Sequence, residues 1–112
     1  MTQCKSPVSS ALRLIGGKWK IAIIYNLRQN PVRFGELKRI LSPITQQMLT
    51  KQLREMERDR LIDRKVYEVI PPKVEYSLTD FGLSFMPVLN SLCKWSTENN
   101  DLMQSISEEN RS

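Results

Sequence analysis

Five polar side chains near the middle of the chain have the types and the spacing needed to read the edges of DNA bases. They are Gln46, Gln47, Thr50, Lys51 and Arg54. A glutamine amide matches adenine, a threonine reaches a base or the thymine methyl group, and the two cations suit guanine or phosphate. Residues three and four apart share one side of a helix, so the spacing predicts a polar, cationic face for the major groove. The alternative interpretation is the solvated side of a bundle helix.

Catalytic and metal chemistry find little support in the same sequence. The chain has no histidine, and its cysteines, Cys4 and Cys93, form no Cys-x-x-Cys pair. The common zinc spacings and the nucleophile arrangements that need histidine are therefore excluded. Glu55, Glu57 and Asp59 point in different directions around a helix, which is poor geometry for paired acid–base catalysis. We expect a protein that is not an enzyme and that binds no cofactor or metal.

Charge is distributed unevenly along the 112 residues. Residues 1–32 hold five basic and no acidic side chains. Residues 33–65 hold nine basic and five acidic side chains, and residues 66–112 hold three basic and seven acidic ones, which gives a net charge of +5. The first two thirds of the chain therefore suit a polyanion. The longest apolar run, Ile21 to Tyr25, is far too short to span a bilayer, and the N-terminus lacks a signal-peptide core. We expect a cytoplasmic protein without membrane contact.

Hydrophobic spacing indicates the helices that position the predicted reading face. Apolar residues three and four apart predict four helices, at about 9–15, 18–28, 34–41 and 46–59. Gly16-Gly17 separates the first two, and Thr45 is the expected N-cap of the fourth. The inward stripe of the fourth helix is predicted to include Met48, Leu49 and Leu53.

Beyond Ile62 the hydrophobic period changes from 3.6 to 2, which indicates strands. The alternation predicts strands at about 63–69 and 73–78, joined by a loop that Pro71 and Pro72 stiffen. Two helices joined by a tight turn and followed by a hairpin predict a winged helix-turn-helix. The expected fold class is mainly α with a small β hairpin.

Six further cations flank the predicted helix-turn-helix and the hairpin, where the DNA backbone would run. They are Arg33, Lys38 and Arg39 around the third helix, Arg64 and Lys65 at the base of the hairpin, and Lys73 in its loop. We expect contacts with phosphates, and we expect Lys73, held by the two prolines, to reach the minor groove. Surface charge that serves solubility is the alternative. Double-stranded DNA is the predicted partner.

A last helix is predicted at about 80–99, with Thr79 as its N-cap and a kink at Pro87. It carries one apolar stripe of Phe81, Phe85, Val88, Leu92 and Trp95, and a second of Met86, Leu89 and Cys93. A small domain has one core, so we expect the second stripe to form a homodimer interface with Leu12 and Ile15. The alternative is that both stripes pack onto one wide core. A two-fold dimer would bind an inverted-repeat operator.

The chain resembles the HxlR-type winged-helix regulators over about residues 6–96. The matching segments are Leu14 to Lys20, Arg33 to Arg39, Ile44 to Thr50, Leu53 to Asp59, Pro71 to Thr79, and Pro87 to Leu89 ahead of Trp95. The resemblance implies bacterial or archaeal DNA-binding homodimers that repress or activate nearby genes, some of them in response to oxidants or electrophiles. Two positions depart from the family pattern. Ser6 rather than cysteine precedes Pro7, and Arg60 replaces the usual glycine after the fourth helix.

Several questions stay open at the level of sequence. Cys4 is either a redox sensor or an ordinary thiol, and a small-molecule or redox effector is open in the same way. Residues 1–99 are predicted to form one DNA-binding domain with its dimerisation helices, and residues 100–112 a frayed polar tail. The rival interpretations are another winged-helix regulator, of MarR or ArsR type, and a protein–protein module built on the same fold.

Overall fold

The computed structural model describes the backbone of residues 2–111 and the side chains of residues 7–111. The helices are α1 (Thr2–Ile15), α2 (Lys18–Leu27), α3 (Phe34–Ile40), α4 (Gln46–Arg58), α5 (Asp80–Leu83), α6 (Met86–Glu98) and α7 (Asn100–Asn110). The strands are β1 (Val32–Arg33), β2 (Ile62–Tyr67) and β3 (Lys73–Leu78). The predicted class, mainly helical with a small winged sheet, is confirmed.

Local signals separate α1 from α2 and start α4 and α5 where the sequence predicts, whereas α1 begins at Thr2 and is longer than the predicted helix at about 9–15. Gly17, between α1 and α2, has a φ of 95°, a conformation that glycine adopts at little cost. The Thr45 hydroxyl accepts a hydrogen bond from the Met48 N–H at 3.1 Å, at the start of α4. The Thr79 hydroxyl accepts one from the Gly82 N–H at 3.0 Å, at the start of α5. Both predicted N-caps are confirmed.

β3 is the central strand of an antiparallel sheet with the order β1-β3-β2. β2 and β3 form the expected hairpin, in which Lys65 lies opposite Glu75. β1 pairs Arg33 with the same Glu75 from the other side. The sequence analysis missed β1 because two residues are too few to show an alternating pattern. Directly opposed residues point to the same side of a sheet, so Arg33, Lys65 and Glu75 share its outer face.

The core lies between the helices α2, α3 and α4 and the inner face of the sheet. Its fully buried side chains are Ile23, Ile24, Leu37, Leu49, Leu53, Met56 and Ile62. Three of these belong to α4 at helical spacing, so the opposite side of α4 is left to solvent. Met48 was predicted to point inward and is exposed instead, because it lies roughly 100° around the helix from Leu49. Arg60, at φ 63°, turns the chain from α4 into β2 at a modest steric cost.

The prediction of one continuous helix over residues 80–99 is wrong. The regular helical hydrogen-bond pattern is interrupted at Ser84 and Phe85, between α5 and α6, where the Phe85 N–H donates to the Gly82 carbonyl at 3.2 Å, although both residues keep right-handed helical angles. Gly82 allows α5 to approach the entry to β2, since a Cβ atom there would lie 2.2 Å from the carbonyl oxygen of Leu61. Pro87 lies in the first turn of α6, where a missing N–H breaks no helical hydrogen bond. The residue expected to kink a helix therefore starts one.

The C-terminal residues 100–110 form α7 rather than a frayed tail, and every one of them is exposed. The helical conformation corrects that expectation, while a domain boundary at residue 99 stays a prediction. The radius of gyration is 16.3 Å, against about 13 Å for a compact domain of this length. The chain is therefore elongated. Among the described helices, none is both long enough and apolar enough to cross a membrane.

Candidate nucleic-acid interface

The solvent side of α4 carries the five side chains that the sequence analysis selected. Gln46, Gln47, Lys51 and Arg54 are exposed, and Thr50 is half-buried. Together with Thr45 and Glu55 they line one open depression on the surface of the molecule. Since the core residues of α4 lie on its other side, this face is free to enter a groove of DNA. Contact of each side chain with a base stays a prediction.

A partly buried ion pair that the sequence analysis missed joins α4 to α2. Lys20 Nζ on α2 lies 2.8 Å from Glu55 Oε1 on α4, and the two side chains are 9% and 27% exposed. The hydrogen bond from Lys20 holds the pKa of Glu55 below its ordinary value, against the desolvation that raises it. The charges of Lys20, Lys51 and Arg58 lower it further. The available signal was a lysine set between the apolar residues Trp19 and Ile21.

We expect the substitution Lys20→Met to lower the melting temperature at pH 7, because Glu55 then keeps a partly buried charge without its partner. The lowered pKa of Glu55 means that the pair stabilises the ionised carboxylate. Its contribution is present above pH 4.5, the ordinary value, and is lost as pH falls through the lowered folded-state pKa. The difference in melting temperature between wild type and variant should therefore shrink between pH 7 and pH 3. Thermal denaturation followed by circular dichroism measures it.

The matched control for this prediction is Lys18→Met, two residues earlier on the same helix. Lys18 is exposed and lies over the ring of Trp19, so its loss should change the melting temperature little and with no marked dependence on pH. An equal destabilisation by Lys20→Met at both pH values would contradict the role assigned to the ion pair.

The three cations predicted around α3 are all exposed. Arg39 donates two hydrogen bonds to the Glu36 carboxylate, one of them from Nε at 3.0 Å. This contact raises the pKa of Arg39 and lowers that of Glu36. Exposed ion pairs contribute little, so Arg39 can exchange Glu36 for a phosphate. Arg33 and Lys38 form no ion pair with another described residue.

Arg64 joins the hairpin to α4. Its Nε lies 3.2 Å from Glu57 Oε2, which is on the helix. Both residues line a notch between helix and sheet, together with Thr50, Leu53, Arg54 and Tyr76. Burial raises the pKa of the Tyr76 hydroxyl in this notch. The ion pair therefore places Arg64, predicted to contact the DNA backbone, directly beside the reading face of α4.

Glu75 holds the cations of the hairpin against the outer face of the sheet. Its carboxylate accepts a hydrogen bond from the Tyr67 hydroxyl at 2.9 Å and pairs with Lys73 Nζ at 3.3 Å. The ammonium groups of Lys73 and Lys65 lie 4.5 and 4.8 Å from the centre of the Tyr67 ring. The Tyr67 hydrogen bond, then Lys73 and the charge of Arg33, hold the pKa of Glu75 below its ordinary value against desolvation. Glu75 and the Tyr67 ring already compensate much of the positive charge of Lys73. Contact of Lys73 with the minor groove stays a prediction.

The structure reverses the roles assigned to the two apolar stripes of the last helix. Leu89 was predicted at a dimer interface and is 3% exposed, inside the core of its own chain, and Met86 packs against that core. The exposed apolar side chains of α6 are Val88, Leu92 and Trp95. The helical phase is kept across Ser84 and Phe85, whose φ and ψ angles stay right-handed helical, and Phe81 is exposed on the same side as the α6 stripe. The spacing therefore gave both stripes correctly, but spacing alone does not determine which stripe faces the core.

The remaining predicted interface and redox residues are Leu12, Ile15, Cys93 and Cys4. Leu12 on α1 is 60% exposed, Ile15 is half-buried, and Cys93 is an exposed free thiol. The side chain of Cys4 lies outside the described residues, so its role as a redox sensor is not addressed by the structure. An interface that includes Leu12 stays a prediction.

The fold and the exposed face of α4 define a winged helix-turn-helix DNA-binding protein. The chain belongs to the HxlR-like helix-turn-helix family, whose model matches residues 14–104. The resemblance noted in the sequence is thereby confirmed. The protein is a transcriptional regulator with a helix-turn-helix DNA-binding domain, and not an enzyme.

Individual relatives agree with this assignment. The chain is 46% identical over 99 residues to the uncharacterized HTH-type transcriptional regulator YybR of Bacillus subtilis, covering 88% of this chain and 79% of the relative. It is 50% identical over 95 residues to the uncharacterized HTH-type transcriptional regulator BH0655 of Halalkalibacterium halodurans, covering 84% of each. The solved structure of the redox regulator HypR in its reduced form matches with a TM-score of 0.85 and 46% identity, over 88% of this chain and 98% of that one.

Proposed function

We propose that two copies of this chain bind an inverted-repeat operator in duplex DNA, each inserting the solvent side of α4 into the major groove. The observation that carries the proposal is that face itself. Its five polar side chains line one depression, and none of them is used in the core. The Thr45 cap and the Lys20–Glu55 ion pair hold α4 in a fixed orientation. Preorganised side chains lose little entropy on binding, which favours sequence-specific contacts.

The apolar surface of α1 and α6 supports assembly as a homodimer. Leu12, Val88, Leu92 and Trp95 are exposed in a single chain, although a helix normally buries its apolar stripe. The chain is elongated, with a radius of gyration of 16.3 Å, and none of the described residues of α1 and α7 is fully buried. A second copy related by a two-fold axis would cover the same patch on both chains.

The proposed dimer determines the form of the operator and the size of the electrostatic contribution to DNA binding. Two recognition helices on one side of a two-fold dimer fit half-sites about one helical turn apart. Arg33, Lys38, Arg39, Arg64 and Lys65 flank them and would neutralise backbone phosphates. Each phosphate contact makes the slope of log affinity against log salt concentration more negative by about 0.9. The target also implies action in the cytoplasm.

Selection of binding sites from a random pool of duplex DNA tests the proposed function. The expected result is an inverted repeat bound by two chains, with affinity that falls steeply as salt increases. Recovery of a single half-site would overturn the dimeric reading, and the absence of any enriched sequence would overturn the proposed function. A parallel selection with hydrogen peroxide tests a redox effector, since a thiol switch at Cys4 or Cys93 would change the yield or the sequence.

A further inference from the structure

The tip of the hairpin differs in chemistry from the cationic surface around it. Residues 68–72 connect β2 to β3, and all of them are exposed. Their sequence is Glu-Val-Ile-Pro-Pro, so the only charge at the tip is negative. Ile70 is 101% exposed and makes no contact with the core. The tip therefore has no positive charge that would attract the phosphates of DNA.

The cation that directly follows the tip is Lys73, the first residue of β3, and it is not free to supply that attraction. Lys73 lies against the Tyr67 ring at 4.5 Å and pairs with Glu75 at 3.3 Å. If the Lys73 ammonium group moved to a phosphate, the Glu75 carboxylate would be left near the DNA backbone without its ion-pair partner. Contact through Lys73 would therefore require its pairing with Glu75 to be broken, whereas contact through the Ile70 side chain would not.

The loop is built to hold an apolar side chain outward. Pro71 and Pro72 fix two φ angles directly after Ile70, and the Val69 N–H donates to the Tyr67 carbonyl at 2.9 Å, which tightens the turn before it. A stiff loop lowers the entropy cost of presenting one side chain in one direction. Isoleucine and proline are among the side chains that proteins insert between base steps from the minor groove.

We propose that Ile70 is an apolar wedge that enters the minor groove beside the α4 contact and partly unstacks a base step there. The inference rests on the proposed function, since it requires duplex DNA on this side of the molecule. Leu53 of α4 and Ile62 of β2 are buried in the same core, so the hairpin and the recognition helix keep a fixed relation. The wedge would favour flexible pyrimidine–purine steps at positions that no hydrogen bond reads.

The test uses the full chain and the duplex recovered by selection with wild type, carrying 2-aminopurine in turn at the steps beside each half-site. Ile70→Ala should lower the affinity by at least about tenfold, reduce the bend measured by circular permutation, and abolish the rise in 2-aminopurine fluorescence. The salt slope should not change, because no charge is removed. Ile70→Leu should retain both bend and fluorescence.

The matched control is Val69→Ala in the same loop, which removes apolar surface from a side chain about half exposed and should change the affinity less than threefold. If Ile70→Ala binds and bends the duplex as wild type does, the wedge is overturned, and a protein partner for the tip becomes the better account. If wild type itself shows no sequence preference, the proposed function fails and the wedge fails with it. Because Ile70 is outside the core, all three variants should keep the melting temperature of wild type.

Discussion

Replacing Trp95 with glutamate is expected to convert the proposed homodimer into a monomer of 13.1 kDa and to weaken operator binding by about 100-fold or more. Trp95 is 57% exposed in the single chain, so the isolated fold tolerates a charge there. In the proposed dimer the same carboxylate would enter an apolar contact without a partner, at a cost that disfavours association. Sedimentation equilibrium at micromolar concentration measures the mass, and fluorescence anisotropy with the selected duplex measures the affinity.

The matched control for this prediction is Lys94→Glu, which introduces a glutamate one residue away and outside the exposed apolar stripe of α6. Lys94 is exposed and lies roughly 100° around the helix from Trp95. This control should remain dimeric and bind the operator nearly as wild type does. A Trp95→Glu protein that sediments as a dimer would show that α6 does not form the interface.

Replacing both Gln46 and Gln47 with alanine is expected to remove most of the sequence preference. Each bidentate amide contact with a base contributes about 1–3 kcal/mol of discrimination, so affinity for the selected duplex should fall by about 100-fold or more. Affinity for a random-sequence duplex of the same length should stay the same, because backbone contacts supply it. The salt slope should also be unchanged, since neither side chain carries a charge. Parallel anisotropy titrations with the two duplexes measure the difference.

Gln52→Ala provides the control for this double variant on the same helix. The Gln52 amide lies 3.4 Å from the sulfur of Met48, away from the reading face. Its removal should leave both affinities unchanged. Equal losses on the selected and the random duplex in the Gln46/Gln47 variant would mean that these amides contact the backbone or only support the helix.

Features set by neighbouring residues could be predicted from the sequence. Thr45 and Thr79 cap helices because a side-chain oxygen reaches an N–H three residues on. The inward positions Leu49 and Leu53 follow from helical spacing alone. The outward face of α4 could be predicted for the same reason, because its polar residues occupy the helix positions that the core stripe does not use.

Features set by contacts between distant segments could not be predicted in this way. Which of the two apolar stripes of the last helix faces the core depends on how α6 packs against α2, and spacing alone placed Leu89 at an interface. The Lys20–Glu55 pair joins residues far apart in the chain, and only the burial of α2 against α4 brings them together. Lys73 was assigned to DNA from its type, whereas its packing against Tyr67 and Glu75 follows from the register of the hairpin.

The central claim is that the solvent side of α4 reads bases and that the dimer duplicates it. The most direct test repeats the selection from random duplex DNA with Gln47→Ala and compares its consensus with that of wild type. The account predicts that preference is lost at one or two adjacent base pairs in each half-site, at positions related by the two-fold axis, and kept elsewhere. A consensus identical to that of wild type, or a loss confined to one half-site, would contradict it.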